Sequence, residues 1–182
     1  MQSLNYILKS VTLLSVTFCL ATFAADSEKA CQSAEYRQFD FWLGNWNVYS
    51  KDGKLVGTNS ITKSLNGCVL KEHYKTAKGY EGESFNLFDA TTKQWHQTWV
   101  DNGGALLQLD GVWNGQVMTL LGKGLSRKGE PVTHRIQWRP QDNGDVHQVW
   151  DISKDGGQHW QSNFFGVYQK TSHQKKPHQK KK

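Results

Sequence analysis

From residue 50 onward the chain alternates apolar and polar residues in runs of strand length, and each run stops at a turn signal. Val132, His134, Ile136 and Trp138 share one face of such a run, with Thr133, Arg135, Gln137 and Arg139 on the other. Leu70, Glu72 and Tyr74 alternate in the same way with Lys71, His73 and Lys75, and Val146, Gln148, Trp150 and Ile152 with His147 and Asp151. No window past residue 50 holds a sustained helical period. The runs are separated by Asp52-Gly53, Asn66-Gly67, Lys78-Gly79, Asn102-Gly103, Asn114-Gly115, Lys128-Gly129, Asn143-Gly144 and Asp155-Gly156, mostly 12 to 15 residues apart. Asn-Gly and Asp-Gly pairs supply the positive φ angles that tight hairpins need. One double interval, between Gly79 and Gly103, contains the polar stretch 89–93, which reads as a ninth turn between ten strands. Pro131 and Pro140 flank a strand and Pro177 lies near the end of the chain, so no proline interrupts a ladder.

A meander this long exposes two sheet edges unless it closes on itself. The pattern therefore predicts an all-β fold, a ten-stranded antiparallel meander barrel, with a two-sheet sandwich as the alternative. One barrel domain is expected over residues 35–171, after a lead segment at 25–34. Just before the first strand stands FDFWLGNW, residues 39–46, with four aromatic residues in eight positions. It predicts a short helical or irregular plug over residues 35–43 that caps one end of the barrel. All eight tryptophans follow residue 40. Aromatic residues at this density either line a cavity or fill it, and alternation alone leaves both open.

The two ends of the chain carry separate signals. Residues 1–24 hold one charge, Lys9, before an apolar run that ends at Thr22-Phe23-Ala24, the pattern of a cleaved signal peptide. The run is short for a membrane span, which takes about 20 apolar residues, and a retained anchor is the alternative. Phe18 before Cys19 is too large for a lipidation signal. Export, to the periplasm or the medium of a Gram-negative bacterium, gives Cys31 and Cys68 an oxidising compartment. A bridge between them would close a loop worth ~4 kcal/mol on chain-entropy grounds; two free thiols are the alternative. Removing Lys9 and the five lysines of the last eight positions from the 22 basic residues leaves 16, equal to the 16 acidic ones. The body is thus near neutral, and the basic charge belongs to a tail at 172–182 that is expected to be disordered. Such a tail is either simply solvated or a weak tether to an anionic surface. Nucleic acid is not an expected partner, because no basic stripe runs through the body.

Residues 39–46, the Gly67-to-Glu72 segment, Trp95 to Asp101 and Ser153 to Gly157 together resemble an exported bacterial family described as a domain of unknown function. The resemblance covers residues 35–169. More distantly, Gly44-Asn45-Trp46 followed by a ten-strand meander resembles the calycin group of lipocalins, fatty-acid-binding proteins and nitrobindin-like haem barrels. What this implies is a ligand-binding barrel without an established activity. In lipocalins a basic residue of the last strand covers the Gly-x-Trp tryptophan. Lys170 is the candidate here, where arginine is typical. Residues 153–160 also fit the S-x-D-x-G-x-x-W turn called the Asp-box, read here as a structural hairpin.

Candidate chemistry sits on the expected inner faces. A small apolar or aromatic ligand would be walled by Phe85, Trp95, Trp99, Trp138 and Trp150, near Tyr74, and fixed by Glu72 and His134. Glu72 and His134 as an acid–base pair form the enzymatic alternative, which the pattern does not favour. A structural envelope protein with a filled barrel is the third reading. His134 as the axial ligand of a haem is the one cofactor to weigh, although the glycines of the nitrobindin opening are missing after Trp46. No cofactor and no metal are otherwise expected: H-E-x-x-H, C-x-x-C, a nucleophile elbow and a phosphate-binding glycine loop are all absent.

Overall fold

The computed structural model describes residues 30–126 and 128–171; the expected signal peptide and basic tail lie outside the described residues. Ten strands run in chain order: β1 (Gly44–Tyr49), β2 (Leu55–Ser64), β3 (Val69–Lys75), β4 (Glu81–Asp89), β5 (Gln94–Asp101), β6 (Leu106–Trp113), β7 (Met118–Leu125), β8 (Pro131–Pro140), β9 (Val146–Ser153) and β10 (Gln161–Lys170). Each pairs antiparallel with the next. β1 then pairs with β10 from Trp46 opposite Lys170 to Tyr49 opposite Val167, which closes the barrel and excludes the sandwich.

The turns fall where the glycines predict, with a shared geometry. At 50–54, 76–80, 126–130 and 141–145 the fourth residue, a glycine, donates its N–H to the first residue's carbonyl. The first residue's N–H in turn goes to the fifth residue's carbonyl. The four glycines have φ between 77° and 85°. This is a type I turn closed by a glycine bulge, whose twist matches that of the flanking strands. In the Asn102-Gly103-Gly104 turn the positive φ falls on Gly104, one residue later than expected. The ninth turn at 89–93 has no glycine and places Lys93 at φ 59° instead.

Ahead of β1 the chain makes two short 3-10 turns, Ala34–Arg37 and Asp40–Trp42, rather than a continuous helix. Phe39 interrupts them with φ −105° and ψ 6°. That break lets the Phe39 and Trp42 rings stack at 5.0 Å and point together into the barrel. Phe39 packs edge-on against Trp95 at 5.5 Å and Trp138 at 5.1 Å, and all four residues are essentially inaccessible to solvent. The indole of Trp46 donates to the Trp42 carbonyl at 2.8 Å, and the Lys170 Nζ lies 5.3 Å from the Trp46 ring centre.

Covalent and polar links hold this segment. Cys31 and Cys68 form the disulfide. Arg37 spans it, donating to the carbonyls of Cys31 at 3.2 Å and Gly67 at 2.7 Å. Asp40 binds Lys63 at 2.7 Å. Residues 153–160 form the expected Asp-box hairpin: the Ser153 hydroxyl donates to Asp155, and Asp155 accepts the His159 N–H at 2.9 Å. Its Trp160 covers the outer barrel wall, 4.1 Å from the Arg135 guanidinium, which is itself paired with Asp151 at 2.8 Å.

Candidate functional site

The interior is filled at one end and hollow at the other, so both sequence alternatives are realised in one barrel. Phe39, Trp42, Trp95 and Trp138 fill the end entered by the lead-in. Towards the opposite end, where the turns at 76–80, 101–105 and 153–160 lie, a cavity of about 350 Å³ opens. Its wall carries six aromatic rings, from Tyr74, Tyr80, Trp99, Trp150, Phe164 and Tyr168. Leu107 and Ile136 add aliphatic surface, while Glu72, Gln97, Gln148 and Asn163 add polar groups.

Two of these rings depend on glycines inside strands. A Cβ at Gly82 of β4 would lie 2.2 Å from Trp99 on the neighbouring β5. One at Gly57 of β2 would lie 2.6 Å from the Tyr74 ring on β3. The bare backbone at these inward positions lets each aromatic side chain lie flat against the wall instead of across the hollow.

Glu72 is the polar centre of the cavity. It is 4% exposed, facing inward from β3 between β2 and β4. One carboxylate oxygen accepts the Asn59 amide at 2.7 Å, and the other accepts the Ser84 hydroxyl at 2.5 Å. Behind Ser84 the donors continue in one direction. Asn86 donates to the Ser84 oxygen at 2.8 Å, and Gln97 donates to the Asn86 carbonyl at 2.8 Å. Every arrow of this relay points at the acid. Burial nevertheless outweighs these donors and pushes the Glu72 carboxyl up to about 7. Burial also raises the Tyr74 and Tyr168 hydroxyls, with the charge on Glu72 as the next cause in each. Tyr168 donates to the Gln148 side-chain carbonyl in a short hydrogen bond.

Of the residues expected from sequence, Glu72, Tyr74, Trp99 and Trp150 meet around the cavity. Trp95 and Trp138 face inward as expected but belong to the filled end, where each packs on Phe39. Phe85 is a correction: it is 49% exposed on the outer face of the barrel. Its strand is inverted in character. Gly82, Ser84 and Asn86 point inward because Trp99 needs the room and Glu72 needs the donors, so the apolar residue between them points out.

His134 is buried but does not line the cavity. Its Nδ1 accepts the Trp150 indole N–H at 3.1 Å, and burial lowers its pKa, so the ring is neutral. Its Nε2 faces the backbone of β7, where even a methyl group on Gly124 would come within 2.9 Å. Neither nitrogen has room for an iron, so these residues do not fit haem. No hydrogen bond or ion pair joins His134 to Glu72 among the described residues. Nor do they contain a group of three or more His, Cys, Asp or Glu side chains placed to hold a metal.

Asn59 and Ser84, which make the acid's hydrogen bonds, and Asn86 and Gln97, which stand behind Ser84, were not among the residues expected from sequence. The available signal was β4 itself, where small and polar residues alternate with bulky ones in the phase opposite to that of a solvated strand. A closed meander barrel with an acid-centred cavity towards one end is the class that the fold and the site define. No protein-family model matches the chain, and no curated protein matches it.

Proposed function

We propose that the protein is an exported barrel of the calycin kind, related to the bacterial family it resembles, that holds one small apolar or aromatic molecule in its cavity. The observation that carries this reading is the division of the interior: aromatic packing stops partway, leaving about 350 Å³ bounded by six rings and a few convergent polar groups. Ligand sites commonly have that volume and that mixture. The lead-in, as the plug, closes the filled end, so the ligand enters from the opposite mouth. A disulfide fits a chain outside the reducing cytoplasm, and the expected signal peptide would take it to the periplasm or beyond. No helix among the described residues is long and apolar enough to cross a membrane.

The enzymatic alternative loses its expected pair, because His134 is engaged by Trp150 and stands apart from Glu72. The test is a titration with N-phenyl-1-naphthylamine, a neutral aromatic probe, read by tryptophan quenching. A saturable one-to-one isotherm is expected. It should weaken at least tenfold in Trp150→Ala and stay unchanged in Phe85→Ala, which alters the outer face only. Equal effects of the two substitutions would refute the cavity as the site.

A further inference from the structure

Glu72 is the only carboxyl group lining the cavity, and no lysine, arginine or histidine lines it. None of the ion pairs among the described residues includes Glu72 either. A buried carboxylate without a counter-charge is costly, and a protein's own basic side chains usually meet that cost. The neighbours facing it, Asn59 from β2 and Ser84 from β4, are neutral donors, and Tyr74 on its own strand and Tyr168 on β10 are neutral hydroxyls.

The carboxylate also has capacity to spare. Asn59 takes one lone pair of one oxygen and Ser84 one of the other, while an ionised carboxylate offers about four acceptor sites. The remaining wall is electron-rich: aromatic faces attract cations through their quadrupoles, most strongly those of tryptophan. Trp99 and Trp150 both lie on the cavity wall. The amides of Gln97 and Gln148 add neutral polar contacts without repelling a positive charge.

We infer that the cavity selects an organic cation: a protonated amine on a flat apolar body, with its ammonium on the Glu72 carboxylate and its body between the aromatic walls. The ligand then supplies the counter-charge that the barrel omits. This rests on the cavity reading above and adds the ligand's charge to it.

The test is isothermal titration of the full mature chain at pH 8 with three probes that share one ring system. They are 1-naphthylmethylamine (cationic), 1-naphthalenemethanol (neutral) and 1-naphthoate (anionic). The amine should bind at least tenfold more tightly than the alcohol, and the naphthoate most weakly. Glu72→Gln should cost the amine tenfold or more and change the alcohol less than threefold. Binding of the amine at pH 6 should release a proton, seen as a heat that varies with the buffer's ionisation enthalpy. If the alcohol or the naphthoate binds as tightly as the amine in the wild type, the inference on charge falls and the cavity reading stands. If none of the three binds, both fall. The wild-type comparison decides the matter even if the variant is poorly folded.

Discussion

At the scale of single residues, Glu72 has the largest consequence. In the unfolded chain its carboxyl ionises near its ordinary value of 4.5, whereas in the barrel burial holds the proton until about 7. Between those values the folded state binds more protons than the unfolded one, so stability falls as pH rises through this window. The contribution is at its most favourable below 4.5 and is fully lost above 7. Glu72→Gln removes the titration. It should match the wild type near pH 4.5 and exceed it by ~3 kcal/mol at pH 8 in urea melts. The replacement amide can be accommodated because the Asn59 side-chain carbonyl is buried with no partner, so Asn59 can turn over and accept from it. A variant that is less stable than wild type at pH 8 would contradict the assignment. Gly82 is the second residue of consequence. Gly82→Ala puts a methyl group inside the Trp99 indole, which must swing into the cavity. A loss of ~1–3 kcal/mol by urea denaturation and a blue-shifted, less quenchable emission are expected.

At the scale of elements, the lead-in and the turns divide the work of making a barrel end. The disulfide closes a loop between residues 37 positions apart, and Arg37 and Asp40 secure the same segment with hydrogen bonds and an ion pair. Cys31→Ser with Cys68→Ser should therefore lower stability by up to ~4 kcal/mol in urea, while far-ultraviolet dichroism stays that of a barrel. Phe39→Ala leaves a void between Trp42, Trp95 and Trp138 and should cost ~3–5 kcal/mol by the same measurement. Most of this scale was legible in the sequence. The Asn-Gly and Asp-Gly pairs mark turns because few other residues tolerate positive φ, although at Asn102-Gly103 that conformation passes to Gly104, and between turns the apolar phase is plain on β3, β8 and β9. The phase of β4 was not legible: Phe85 looks like its inward residue until the needs of Glu72 and Trp99 on neighbouring strands are known. A single strand does not record its neighbours' demands. The glycines at 57 and 82 did carry a signal, since glycine within a strand marks a close approach, but only the register shows what approaches.

At the scale of the whole molecule, the barrel is built as a filled half supporting a hollow one. Closure of β1 on β10 and the aromatic stack on Phe39 need nothing from a ligand. The hollow half, by contrast, holds features that cost stability: a buried acid without a counter-charge and glycines where larger residues would fill space. Such concessions are typical of sites retained for function rather than for folding. The proposed ligand would repay them on binding. Occupancy of the cavity in the cell is open to native mass spectrometry of the protein purified from its own host. One small-molecule mass per chain is expected, released on denaturation and absent from Leu107→Trp, whose indole would fill the cavity. Wild-type protein carrying only the mass of its own chain would mean that the cavity holds no ligand in the cell.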